Sequence, residues 1–249
     1  MISIKSKTDL AKMREAGKIA GGALKLAGES IKAGMTTLEL DKIVHDYIVG
    51  CGAKPSFLGY GGFPGSACIS INNEVIHGIP RSSKVIHKGD IVSVDVGALY
   101  NGFHGDTCAT FPCGEISDEA KALLEVTEAS LYEGIKAAKV GARLGDVCHA
   151  VEVYCASRGY GIVRNYCGHG IGRNLHESPE VPNYGEAGRG PRLTAGMTFC
   201  IEPMINVKGD EVKVLKDGWT VLTASGSLSA HFEHTIALTS DGPVIMTRP

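Results

Sequence analysis

Residues 90–108 read Asp90-Ile91-Val92-Ser93-Val94-Asp95-Val96-Gly97-Ala98-Leu99-Tyr100-Asn101-Gly102-Phe103-His104-Gly105-Asp106-Thr107-Cys108. Valines at 92, 94 and 96 alternate with Ser93 and Asp95, the period-two pattern of a strand with one apolar face. Phe103 to Phe111 forms a second strand-like run, and Asn101-Gly102 between them is a strong signal for a two-residue hairpin turn. Such a turn fixes the register. Asp95 falls opposite Cys108, and Asp106, two residues nearer the turn, is a diagonal neighbour of Asp95 on the same face, roughly 7 to 8 Å away or a little less. Asp106 would also serve as a plain polar turn residue in its His-Gly-Asp-Thr context. Two acids on one face between apolar strands, however, repel and desolvate each other unless a cation neutralises them, and this favours a metal site.

An internal repeat carries the pattern outward. At an offset of 107, Gly34 falls on Gly141, Tyr47 on Tyr154, Gly52 on Gly159, Gly89 on Gly196 and Asp95 on Glu202, so each copy has a carboxylate six residues after a glycine. Each half reads as helices followed by strands. Asp9 to Ala27 has helical spacing after a Thr8 cap, and Thr36-x-x-Glu39 is a capping box ahead of Leu40, Ile43, Val44 and Tyr47. Ser117 to Lys139 and Leu144 to Ser157 repeat the helical pair. Further strands are expected at Met197 to Val207, Glu211 to Lys216, Thr220 to Ala224 and Phe232 to Leu238. The class is α+β. No Pro/Gly/Ser-rich linker divides the chain, so a single domain 1–249 is expected, with halves at about 1–112 and 113–249 around a shared sheet.

The repeat places Glu202, in Ile-Glu-Pro-Met, where Asp95 sits in the first half, and an approximate two-fold would bring the two carboxylates toward one axis. Glu233 is a third acid among strand residues; alone it would suit a solvated face, but beside the others it is a credible ligand. In Cys167-Gly168-His169-Gly170-Ile171-Gly172 the glycines do not have dinucleotide-fingerprint spacing. They allow close backbone approach and positive φ around His169. His77, in Val75-Ile76-His77-Gly78-Ile79-Pro80, sits in a similar turn. His176-Glu177-Ser178-Pro179 is no helical zinc motif, because Pro179 breaks the helix and no second histidine follows. No nucleophile elbow and no Walker A sequence competes for the site.

Composition narrows the class. The chain has 249 residues with 25 Lys+Arg against 27 Asp+Glu, a formal charge of −2, so no basic surface points to nucleic acid. No apolar stretch is long enough for a membrane span, and the charged N-terminus lacks a secretion-signal core. Eight scattered cysteines without Cys-x-x-Cys fit reduced, buried thiols. A cytoplasmic location is expected. Glycine is in excess, 33 residues against an ordinary share of about 7%, and the glycines around the acids and His169 account for part of it.

Taken together, six segments in order resemble the type 1 methionine aminopeptidases over nearly the whole chain: Asn-Glu-Val-Ile-His-Gly-Ile-Pro ending at Pro80, Gly-Asp-Ile-Val-Ser-Val-Asp-Val around Asp95, Gly-Phe-His-Gly-Asp-Thr around Asp106, Gly-His-Gly-Ile-Gly around His169, Ile-Glu-Pro-Met around Glu202 and Phe-Glu-His-Thr around Glu233. The resemblance implies the pita-bread fold with its internal pseudo-two-fold. It also implies removal of the initiator methionine from nascent polypeptides whose second residue is small. Two divalent metal ions (Co, Mn, Fe or Zn) are implied as cofactors: Asp95 and Asp106 for one, with Asp106 and Glu233 bridging to a second held by His169 and Glu202. Glu202 would carry the proton, His176 would stabilise the oxyanion and His77 would contact the scissile amide. Phe57, Tyr60, Phe63, Cys68, Leu175 and Trp219 match positions that line the methionine pocket.

Three departures from the family pattern stand near the site. Gly61 replaces a frequent histidine and Phe63 a frequent tyrosine at the pocket mouth, which leaves preference at the second and third substrate residues open, and His231 replaces a frequent glutamine beside Glu233, which bears on the groups around that ligand. Expected partners are nascent N-termini and the ribosome, with no nucleic-acid motif and no membrane, and the chain is expected to act as a monomer. Two other activities fit the same fold: a proline-directed peptidase, whose members usually carry a long extra N-terminal domain, and an inactive peptide-binding protein, which would have lost ligands.

Overall fold

A computed structural model describes residues 1–249. The predicted hairpin forms as β4 (Ile91–Tyr100) and β5 (Phe103–Pro112), with Asp95 opposite Cys108. Asn101 and Gly102 both take positive φ, 51° and 79°, as the turn requires. A large antiparallel sheet grows around it. β1 (Lys54–Pro55) and β2 (Ala67–Ile71) pair with β4. On the other side follow β14 (Glu233–Thr239), β9 (Thr198–Ile201), β7 (Gly168–Gly170) and β8 (Glu177–Val181), with β15 (Gly242–Ile245) along β14. Two small sheets flank it: β6 (Gly161–Ile162), β10 (Met204–Asn206) and β13 (Ser229–His231), and β3 (Glu74–Ile76), β11 (Val212–Val214) and β12 (Val221–Thr223).

Four helices cover the sheet. α1 (Lys7–Ser30) and α2 (Thr37–Gly50) share one core with Val92, Val94 and Val96, the apolar face predicted for β4. α3 (Asp118–Ala137) and α4 (Leu144–Ala156) share another with Phe199, Ile201, Ile236 and Leu238 of the second half. The carboxylates are left on the uncovered side. Glycines paired by the repeat have matching backbones: φ is 88° and 93° at Gly34 and Gly141, 74° and 82° at Gly52 and Gly159, and 96° and 89° at Gly89 and Gly196.

Several expectations are corrected. α1 starts two residues earlier than expected: Ser6, not Thr8, caps it, in a capping box with Asp9. The strand expected over Met197 to Val207 is two strands, because Pro203 has no N–H to donate and ends the ladder. Glu202 stands at that break, with its carbonyl taking Asn183 Nδ2 at 3.0 Å. His169 lies in short strand β7, and the glycines beside it do not have positive φ. They serve close approach instead, since side chains there would run into the Cys200 and Ser178 carbonyls.

α1 lies against β5 through small residues. A side chain at Gly105 would place its Cβ 2.6 Å from Gly17 Cα, and neither backbone can yield without moving a helix or a strand. Gly105→Ala is expected to cost about 1 to 3 kcal/mol through overpacking, read as a lower urea midpoint with an unchanged m-value. A midpoint equal to that of the unsubstituted protein would show that the helix can shift freely.

Candidate active site

Five neighbouring strands, β4, β5, β14, β9 and β7, each bring one predicted ligand to the same side of the sheet. Asp95 is on β4, Asp106 on β5, Glu233 opens β14, Glu202 follows β9, and His169 is central in β7. Register explains the convergence. Cys108 is paired with both Asp95 and Glu233, so these two acids flank one residue in a single row. Asp106 is two residues along the same face. Between β5 and β14 only two residue pairs are in register. Beyond them the Thr235 hydroxyl bridges, accepting from the Asp106 N–H at 3.0 Å and donating to its carbonyl at 2.8 Å.

Asp106 and Glu233 are 3% and 2% exposed, and Asp95 Oδ1, Asp106 Oδ1 and Glu233 Oε1 are buried with no hydrogen-bond partner. Oxygens from these three acids lie within 4.8 Å of one another. Burial raises every carboxylate in the cluster. Asp95 is pushed up to about 7, although hydrogen bonds from Asp106 and the Val96 N–H oppose the shift. Asp106 rises well above its ordinary range through burial and the charges of Glu233 and Asp95. Glu233 rises through burial, Glu202 and Asp95, and Glu202 through burial, Asp95 and Asp106. Orphaned acidic oxygens so close together are poor as a free-standing core and well suited to a divalent cation.

The histidines complete a nitrogen and oxygen donor set. His169 Nδ1 is 2.9 Å from the Gly170 carbonyl and donates to it, which leaves Nε2 as the lone pair. Nε2 lies 3.7 Å from Glu202 Oε1 and 3.9 Å from Asp106 Oδ2. That is too far for hydrogen bonds and is the spacing of ligand atoms each about 2 Å from a shared ion. Burial, with a smaller contribution from His176, holds His169 down at about 3, so its ring is neutral and free to ligate. The residues present therefore fit divalent metal.

The acids line a cavity of about 240 Å³, whose wall also includes Phe57, Tyr60, Phe63, His77, Leu175, His176 and Trp219. Phe63 meets Trp219 edge to face at 5.2 Å, and the His77 ring stands edge-on to Tyr166 and Trp219. His77 has φ of 57°, in the left-handed region. Cys68 alone of the predicted pocket residues is not on the wall; it is buried, in register with Asp95. His176 lies over His169, ring centroids 4.1 Å apart, and its Nδ1 is 2.8 Å from the Tyr60 hydroxyl.

Ile76, Gly61, Tyr166 and Cys167 also line the cavity, and Cys200 Sγ lies within 4.8 Å of a His169 nitrogen and a Glu233 oxygen. The sequence alone did not mark Ile76, Tyr166, Cys167 or Cys200 as site residues, although pairing Cys200 with Thr235 beside Glu233 would have put it on the ligand face. His231 is buried with its Nε2 3.8 Å from Glu202 Oε2, and burial holds it down at about 3, so it faces that acid as a neutral ring.

Known proteins share this arrangement of chain. A methionine aminopeptidase from Clostridium acetobutylicum is 52% identical over 247 residues, covering 99% of each chain. A crystal structure of methionine aminopeptidase from Thermotoga maritima superposes with a TM-score of 0.98 at 44% identity, covering both chains fully. Prolidase from Pyrococcus furiosus shares the fold at a TM-score of 0.80 and 26% identity, and this chain covers 65% of that longer one. The pita-bread α+β fold expected from the sequence is the fold found. With residues 11–240 matching as well, and carboxylates and histidine gathered as a metallopeptidase needs them, the chain belongs to metallopeptidase family M24.

Proposed function

We propose that this chain is a metal-dependent methionyl aminopeptidase that removes the initiator methionine from nascent polypeptides with a small second residue. The observation that carries this reading is that an acid and imidazole cluster and a set of aromatic side chains line one and the same cavity. An unbranched thioether side chain suits a wall of Phe57, Phe63, Leu175 and Trp219, and a free α-amine would lie beside the carboxylates.

Asp95 and Asp106 would hold one divalent ion, Asp106 and Glu233 would bridge to a second, and His169 and Glu202 would complete it. Bound there, such ions supply Lewis acidity toward the substrate amine and carbonyl and lower the pKa of water. Co, Mn, Fe or Zn all suit mixed carboxylate and imidazole ligands. Glu202 takes the proton of the attacking water and returns it to the leaving amine. With the Tyr60 hydroxyl as donor in its 2.8 Å contact with His176 Nδ1, the ring would carry its hydrogen on Nε2, and this N–H would be the donor for the oxyanion of the tetrahedral intermediate. His77 contacts the scissile amide. The catalytic unit is the single domain 1–249 with halves at about 1–112 and 113–249, acting as a monomer in the cytoplasm on chains emerging from the ribosome. No helix is long and apolar enough to cross a membrane.

Metal-depleted protein reconstituted with Co or Mn and offered Met-Gly-Met-Met, Met-Leu and Ala-Pro peptides tests the reading. Methionine is expected from the first, with little from the second and no cleavage of the third. Failure on the first peptide ends the proposal, and cleavage confined to Ala-Pro would favour a proline-directed enzyme.

A further inference from the structure

His176 lies on the segment between β7 and β8, residues 171–176, which has no regular hydrogen-bond ladder of its own. It borders both the aromatic cavity and a groove lined by Lys5, Asp9, Arg173 and Glu177. The ring rests against His169 and Tyr60, and the start of its segment is tied by the Ile171 N–H to the Thr198 carbonyl and by the His104 N–H to the Gly172 carbonyl. Support nearer to His176 comes from the other end of the chain. Lys5 Nζ is 2.6 Å from Glu177 Oε2, with the side chains only 4% and 12% exposed. The second Glu177 oxygen accepts the Asn174 N–H at 3.1 Å, and the Lys5 N–H donates to the Gly196 carbonyl at 2.8 Å. The fit is close, since a side chain at Gly172 would meet Lys5 Cε at 2.5 Å and Glu177 Oε1 at 2.8 Å.

Burial pushes the Glu177 carboxyl up, but the Lys5 ammonium and the Asn174 and Arg173 N–H groups outweigh it, so the group lies below its usual range and stays charged. A buried ion pair adds little stability compared with apolar residues of the same volume. What it adds is geometry, because a short charge-assisted hydrogen bond fixes two segments distant in sequence.

We propose that Lys5 is a positioning residue of the active site: its buried ion pair with Glu177 clamps segment 171–176 from behind and holds the His176 ring at the cavity wall. The proposal rests on the oxyanion role of His176 given above. Without the clamp, His176 moves relative to the reacting carbonyl, and displacement of a catalytic group by about 1 Å can cost up to about 100-fold in rate.

The test is a cycle of Lys5→Met, His176→Ala and the double variant, assayed with Met-Gly-Met-Met and with Mn binding by calorimetry. Lys5→Met is expected to lower kcat about 10- to 100-fold, with KM and Mn affinity nearly unchanged and with no further loss in the His176→Ala background. Unaltered kcat in Lys5→Met beside a slow His176→Ala overturns the clamp alone. An equal proportional loss in the His176→Ala background also overturns it, by showing a general structural role. Full activity of His176→Ala removes the reading of that histidine, and the clamp with it. If Lys5→Met does not fold, Glu177→Gln breaks the same pair and is read in the same way.

Discussion

Replacing Glu202 with Gln is expected to lower kcat by about 10² to 10⁴, the usual contribution of a positioned general acid-base group, while the protein stays folded. The amide matches the carboxylate in shape and can still present an oxygen where Glu202 Oε1 stands 3.7 Å from His169 Nε2, but it cannot accept and return a proton. Its neighbours make Glu202 suited to that work. In the metal-free protein burial and the charges of Asp95 and Asp106 raise its proton affinity well above that of an ordinary carboxyl. His231, neutral at 3.8 Å, does not pull it down with a charge. Since Glu202 is also a proposed ligand, the assay includes metal content: the four other ligands should retain Mn at saturating concentration while turnover is lost. Removing a carboxylate that is costly to bury should leave the melting temperature of the metal-free form unchanged or higher. Turnover near that of the unsubstituted protein, with metal bound, would eliminate the proton role.

The parts of this site legible in the sequence are those set by local chemistry. Asn101-Gly102 fixes a turn, the turn fixes a register, and the register puts Asp95 and Asp106 on one face; no long-range contact is needed. The Thr36 and Glu39 box is equally local. What lay beyond reach was set by contacts between distant segments. β7 is three residues long and exists because Gly168 and Gly170 let it press against β9 and β8; so short a run has no periodicity. The split at Pro203 was readable from proline alone, yet the apolar run around it masked it. Ser6 and Thr8 are both competent caps, and Asp9, three residues after Ser6, decides between them by completing the box. The Lys5 and Glu177 pair spans 172 residues, and no spacing rule connects such positions.

Metal removal should make the protein's stability fall as pH rises from about 6.5 to about 8.5, and metal binding should release protons in that range. The sign follows from which state holds the protons. Asp95, raised from 3.8 to about 7, and Asp106, Glu202 and Glu233, raised well above their ordinary values, stay protonated in the metal-free native state after the unfolded chain has lost those protons. Their stabilisation relative to the charged native form is complete below about pH 4 and is lost as pH climbs through the folded values. Buried histidines act in the opposite direction at lower pH. Burial holds His77 and His234 at about 4 and His169 and His231 at about 3, so the native state lacks protons that the unfolded chain carries up to 6.5. Between pH 4 and 6.5 the two sets offset each other, and above 6.5 the histidine contribution fades over about the next pH unit while that of the acids persists. Past about 8.5 the buried thiols Cys68, Cys108 and Cys200, raised by burial and then by neighbouring carboxylates, add a further decline of their own. The window between is therefore specific to the ligand cluster. A bound cation holds the carboxylates ionised in the native state, so the slope should flatten with saturating Mn, and calorimetry in buffers of different ionisation enthalpy should count protons released, more at pH 6.5 than at pH 8.5. A metal-free melting temperature that is flat or rising across this window, or Mn binding without proton release, would mean that these acids are already charged in the metal-free fold and do not need the ion to offset their burial.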